Sequence, residues 1–159
     1  MNLYLLRHGI AEDRAPSGRD ADRRLTDEGR DKLRRILERA HAAGVEPSLI
    51  LSSPLRRALE TAEIAAHALG YQGKIVRTPA LTPGSSPQQV WQAIREHSDE
   101  AAVLLAGHEP LFSSTVAYLL GSTQEMIHFR KGALVRIDAD ASAGAPRGIL
   151  EWMMTARLA

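Results

Sequence analysis

Apolar positions along this chain come in two kinds of run that alternate from start to end. Leu3 to Leu6 is short and continuous, the pattern of a buried strand. Glu12 to Arg24 is polar and charged, holds Pro16 and Gly18, and reads as a loop. Leu33, Ile36, Leu37 and Ala40 then recur at helical spacing. Thr26 stands where it can cap that helix, with Asp27 and Glu28 in its first turn, and Gly44 stands where it can stop it. The alternation continues with a strand at Ser48 to Leu51. A second helix follows, with Ser53 as its cap and Pro54 at its first position, running to Leu69 ahead of Gly70. Lys74 to Arg77 reads as a weaker strand, and Thr78 to Ser86 as loop. Ser86 and Pro87 open a third helix carrying Val90, Trp91 and Ile94. A strongly apolar strand at Ala102 to Ala106 precedes a fourth helix with Phe112, Thr115, Val116, Leu119 and Leu120. Ala133 to Asp138 and Ile149 to Met154 close the chain as a pair of strands. Alternating strand and helix predicts the α/β class with a mostly parallel sheet.

Composition narrows the possibilities. With 159 residues, no internal repeat and no linker, residues 1–159 are expected to form a single domain. A net charge of +1 offers no field for a nucleic acid. The chain has no cysteine, which excludes disulfides, thiolate catalysis and cysteine-based zinc sites. No run of about 18 apolar residues suggests a membrane span. The first residues also lack the pattern of a secretory leader, so a cytoplasmic protein is expected.

Three of the strands run into unusual chemistry. The first leads into Arg7-His8-Gly9, the second into a segment from Ser52 to Ala62 that includes Ser53, Arg56, Arg57 and Thr61, and the apolar strand into Gly107-His108-Glu109-Pro110. Ligands of open α/β sheets bind outside the carboxyl ends of the strands. If these strands are parallel, one edge gathers two histidines and several arginines. That set suits phosphoryl transfer. Arginine's planar fork matches phosphate oxygens. A neutral imidazole is a competent nucleophile toward phosphorus. Neighbouring guanidinium cations would lower the pKa of His8, and a second histidine can donate to an oxygen as charge redistributes.

Leu-Arg-His-Gly, Ser-Pro-x-x-Arg-Ala-x-x-Thr-Ala and Gly-His-x-Pro, in this order, resemble the histidine phosphatase superfamily over about the whole chain. The resemblance implies a phosphoglycerate-mutase-like three-layer sandwich, a mostly parallel central sheet flanked by helices. It implies a pocket of Arg7, His8, Arg57 and His108, with His8 the phosphorylated residue. The alanine directly after the functional arginine selects Arg57, leaving Arg56 at the rim. Gly9, Ser53, Glu109 and Arg56 are expected to contact substrate. The short chain, Leu25-Thr26-Asp27-Glu28-Gly29 and Leu81-Thr82-Pro83 resemble the small bacterial phosphohistidine phosphatases, which act on histidine phosphotransfer domains.

Many phosphomonoesterases of that superfamily carry a carboxylic acid after the third strand, to protonate a leaving alkoxide. Lys74 to Val90 contains no Asp or Glu. A placed general acid is worth about 10²–10⁴-fold. Its absence favours a leaving group that needs little help, such as imidazole, although Glu12, Asp13 or Glu109 could supply an acid from another loop. The expected substrate is a phosphorylated protein, with a histidine phosphotransfer domain as one candidate. The alternatives are a small-molecule or nucleotide phosphomonoesterase, or a phosphate-binding module without turnover. No cofactor and no metal are expected, since no His-x-His or His-Glu-x-x-His spacing exists. His41, His67, His97 and His128 have no motif and read as surface or loop residues, the charged run Asp20 to Arg24 as a solvated loop, and Trp91 and Trp152 as core.

Overall fold

The chain is described by a computed structural model covering residues 1–123 and 126–159. Strand β1 (Asn2–Arg7) holds the first apolar run, and its buried side chains part to the two faces of the sheet, Leu3 and Leu5 to one and Tyr4 and Leu6 to the other. A helix α1 (Asp27–Ala42) begins as its cap predicts, with Thr26 Oγ1 accepting from the amide of Gly29 at 3.0 Å. It ends before Gly44, whose φ of +81° is the left-handed conformation that favours glycine. Strand β2 (Leu49–Ser52) and helix α2 (Arg56–Ala68) follow, then β3 (Val76–Arg77), α3 (Pro87–Arg95), β4 (Ala102–Gly107), α4 (Leu111–Leu119), β5 (Leu134–Ala139) and β6 (Gly148–Met154).

The strands form one sheet in the order β3-β2-β4-β1-β5-β6. The pairs β2–β3, β2–β4 and β1–β4 are parallel, whereas β5 runs antiparallel to both of its neighbours. Helices α1 and α2 cover one face, packing Leu33, Ile36, Leu37, Ala62 and Ala65 on Tyr4, Leu6, Ile50 and Leu104. Helices α3 and α4 cover the other, packing Val90, Ile94, Phe112 and Val116 on Leu3, Leu5, Leu51, Val103 and Leu105. These are the three layers of the phosphoglycerate-mutase-like fold. With β4 between β2 and β1, the register pairs Arg7 with Gly107 and Ser52 with Ala106, so three strands end side by side.

Several elements differ from the sequence reading. Ser53 does not cap α2: the helix begins at Arg56 with Leu55 at the cap position, and Ser53 is drawn into a bond with His108 instead. Strand β3 has two residues rather than four. The expected loop at 78–86 contains a 3-10 turn, Pro79–Leu81, that buries Leu81 in the core. The charged loop before α1 contains another, Asp20–Asp22. Trp91 is buried, and its indole N–H donates to Gly144 O at 3.1 Å. Trp152 is only partly buried, against Tyr4. The start of α1 presses on the chain leaving β1: a Cβ on Gly29 would lie 2.3 Å from the carbonyl oxygen of Ile10.

Candidate active site

His8 follows the last residue of β1, and its amide donates to Gly107 O at 2.9 Å, which locks it to the end of β4. Its Nδ1 lies 2.7 Å from Gly9 O. A carbonyl can only accept, so Nδ1 carries the proton and Nε2 keeps its lone pair. The ring faces His108, with centroids 5.2 Å apart and planes at 56°.

His108 follows β4. Its Nε2 lies 2.8 Å from Ser53 Oγ. That hydroxyl also accepts from the amide of Leu55 at 3.3 Å, and its proton has no acceptor other than the imidazole among the described residues, so donation to Nε2 is the arrangement that uses it. Nε2 of His108 is then the acceptor and Nδ1 the protonated nitrogen. Nδ1 is buried and has no hydrogen-bond partner among the described residues. A buried, unpartnered N–H is costly unless a ligand takes it up.

The two arginines show the same incompleteness. Arg57, only 6% exposed on the first turn of α2, donates from NH1 to Asp20 O at 3.1 Å and lies 3.2 Å from that residue's carboxylate. Arg7 donates from NH1 to Phe129 O at 2.7 Å. The Nε of each is buried without a partner among the described residues. Thr61, one turn beyond Arg57 on α2, donates to Arg57 O at 2.7 Å and accepts from the amide of Gly9 at 3.2 Å, tying the helix to the His8 loop.

Burial is the main reason that both imidazoles are uncharged. It pushes His8 down to about 4, against the opposing bond to Gly9, with Arg57, Arg7 and Lys131 adding smaller contributions. The sequence reading credited the arginines first, and the structure corrects that order. His108 is pushed down to about 3 by burial, with His8 and Arg57 next, while Asp20 opposes. Each of Arg7, His8, Arg57 and His108 therefore lies within electrostatic reach of others in the set.

The remaining candidates are placed differently. The amide of Gly9 is used by Thr61 and its carbonyl by His8. Ser53 is fully buried behind His108. The carboxylate of Glu109 accepts from the amide of Ser113 at 2.8 Å and from its hydroxyl, at the start of α4. Arg56 lies half-exposed on α2 and pairs with Glu60 at 3.2 Å. Three residues near the site were not singled out from the sequence: Thr61, Lys131 and Asp20. Thr61 did have a signal, its fixed place in the second motif. Asp20 reaches Arg57 from the loop read as solvated. No group of three His, Cys, Asp or Glu side chains that could hold a metal is found among the described residues. No helix among them is long and apolar enough to cross a membrane.

Residues 3–82 match the histidine phosphatase superfamily (branch 1). An uncharacterized protein of Picosynechococcus is 33% identical over 144 residues, covering 89% of this chain and 87% of its own. A structure of the protein histidine phosphatase SixA complexed with tungstate has a TM-score of 0.90 and 28% identity, covering 99% of this chain and 98% of that one. A candidate phosphohistidine phosphatase SixA from Agrobacterium tumefaciens has a TM-score of 0.81 and 25% identity, covering 97% of both chains. The matched segment carries the Arg7-His8-Gly9 strand end and the Arg57 helix, and the chain belongs to the histidine phosphatase superfamily.

Proposed function

We propose that the protein is a metal-independent phosphatase that works through a covalent phosphohistidine on His8 and acts on phosphohistidine in proteins. One observation carries the reading. The Nε2 of a neutral His8 is left bare, because Nδ1 is committed to Gly9 O, next to the ring of His108 with its unpartnered N–H and in the field of the Arg57 and Arg7 guanidinium groups.

The first step is in-line attack of His8 Nε2 on phosphorus. The N–P bond forms as the bond to the leaving group breaks, and the electron pair departs with that group. Arg7 and Arg57 hold the phosphoryl oxygens, and His108 Nδ1–H donates to one of them as charge redistributes. In the second step water attacks phosphorus. The N–P bond breaks, its electron pair returns to His8 Nε2, and orthophosphate leaves carrying the oxygen and both hydrogens of the water. Ser53 acts behind His108 as a positioning residue, holding the ring in the tautomer that presents Nδ1–H.

The substrate class follows from the proton inventory. Asp20 is held below the usual carboxylate range by the Arg23 side chain first, with Arg57 adding, and Glu12 by its bonds to Arg24. Both are therefore anions at neutral pH, unable to protonate an alkoxide, while the carboxylate of Glu109 is taken up by the amide and hydroxyl of Ser113 and Asp13 is exposed. Imidazole leaving from phosphohistidine carries its proton on the other ring nitrogen and needs no such acid. The similarity to the protein histidine phosphatase SixA supports the same class.

Labelled phosphate provides the test. An acid-labile, alkali-stable adduct should form on the wild type and be missing in His8→Ala. Phosphohistidine should be turned over faster than alkyl phosphates; the reverse order would reject the substrate class.

A further inference from the structure

Beside the phosphoryl site lies a cleft of about 620 Å³ that shares Arg7 with it. Its charged lining is entirely basic: Arg7, Lys32, Arg130, Lys131 and Arg157, with His128 beside them. The chain as a whole is nearly balanced, with 20 Lys and Arg against 19 Asp and Glu. Gathering one sign here is thus a segregation of charge, which focuses the field on an anionic partner. Lys32 is partly offset by Glu28 at 2.7 Å. Arg130, Lys131 and Arg157 form no ion pair among the described residues.

The cleft is fixed to the site by backbone bonds. Gly132, with φ of +74°, donates its amide to both Arg7 O and His8 O at 3.1 Å. The amide of Arg7 in turn donates to Ala133 O at 3.1 Å. The basic turn at 130–132 is therefore held against the end of β1, and the charge of Lys131 is felt at His8. Arg7, assigned above to the phosphoryl oxygens, also lines this cleft, so the two sites share a wall. The cations come from four separate places, β1, α1, the segment at 130–131 and the segment after β6, a spread wider than one further phosphate requires.

We propose that this cleft docks a carboxylate-rich surface next to the phosphohistidine of the substrate protein, an inference that rests on the phosphohistidine reading above. Recognition is then by charge, on-rate and KM more than by shape.

The probes are two synthetic phosphohistidine peptides, one flanked by glutamates and one by alanines. At low salt the glutamate peptide should show a kcat/KM about tenfold higher, the product of a few exposed ion pairs worth a few-fold each. The preference should reside in KM and shrink toward unity in molar salt. In Arg130→Glu/Arg157→Glu the ratio should fall to about one or below. If that variant fails to fold, Arg130→Gln/Arg157→Gln should still reduce it. A wild type indifferent to the flanks, or a preference that survives both substitutions, overturns the proposal. A second readout separates it from the reading it rests on: inhibition of p-nitrophenyl phosphate hydrolysis by hexaglutamate. If neither peptide is hydrolysed while the aryl phosphate is, the phosphohistidine reading fails. Salt-sensitive inhibition by hexaglutamate, lost in the double variant, would then still support the cleft, and no inhibition would overturn it.

Discussion

Removing one hydroxyl, in Ser53→Ala, tests whether the proton of His108 lies where the geometry puts it. In the wild type Ser53 Oγ sits 2.8 Å from Nε2, fully buried, and the unpartnered Nδ1 is the donor left for phosphate. Alanine leaves Nε2 without a partner, a cost of about 1–3 kcal/mol for a buried polar atom. Moving the proton to Nε2 then presents a lone pair at Nδ1 to the phosphoryl oxygens. The hydrogen bond lost in the transition state is one to a charged group, about 1.5–3 kcal/mol, or roughly 10- to 100-fold in rate. The arginines still hold the ground-state phosphate, so the loss should appear in kcat, with KM for p-nitrophenyl phosphate moving by no more than a few-fold. Steady-state kinetics measure the first part, and nitrogen NMR of the His108 ring measures the second. Adding Ser53→Ala to His108→Ala should cost little more, because the hydroxyl acts through the ring. A kcat within about twofold of wild type, or a reduced kcat with the proton still on Nδ1, would refute the reasoning.

Other outcomes follow from the same geometry. With His8 at about 4 and His108 at about 3, ring NMR of the free protein should show no titration of either between about pH 8 and pH 5. The unfolded chain takes up protons at these rings near pH 6.5 and the folded chain only at about 4 for His8 and about 3 for His108, so stability is full above pH 6.5 and falls as pH drops below it. His8 contributes at most about 3 kcal/mol of this loss, and His8→Ala should flatten the slope of unfolding free energy against pH. Asp20→Asn removes an anion 3.2 Å from Arg57 that competes with phosphate; because Asp20 is largely exposed, inhibition by orthophosphate should tighten only about two- to fivefold, and a weaker or unchanged inhibition constant counts against that competition. Gly29→Ala forces a Cβ against Ile10 O at 2.3 Å and should destabilise by about 1–3 kcal/mol in urea unfolding. Since guanidinium and imidazole groups meet the phosphoryl charge, a chelator should leave turnover within about twofold; loss restored by a divalent ion would contradict the mechanism.

What could be read from the sequence was local. Thr26, Gly44 and Ser86 act within four residues, so spacing alone located the helices they bound, and the structure adds the reciprocal bond between Gln89 and Ser86. Ser53 looked like another such cap, but α2 begins at Arg56, and the hydroxyl serves the amide of Leu55 and the imidazole of His108, 55 residues away behind a different strand. Asp20 was read as solvated for the same reason, since its pairing with Arg57 spans 37 residues. The sign of the His8 shift was legible because arginines are visible in a sequence. Its main cause was not, because burial belongs to packing.

Strand order explains why the motifs were informative and yet incomplete. Each motif predicted a strand end with polar chemistry, but adjacency is a non-local property that no single segment encodes. Insertion of β4 between β2 and β1 puts His108 between Ser53 and His8. From there the Nε2 edge of its ring bonds the hydroxyl of the second motif, while the ring lies 5.2 Å from that of His8 in the first. Exchanging β4 with β2 would place Ser53 between the two imidazoles and move His108 one strand away from His8. The parallel register, Arg7 beside Gly107 and Ser52 beside Ala106, is therefore the feature that turns three separate sequence motifs into one pocket.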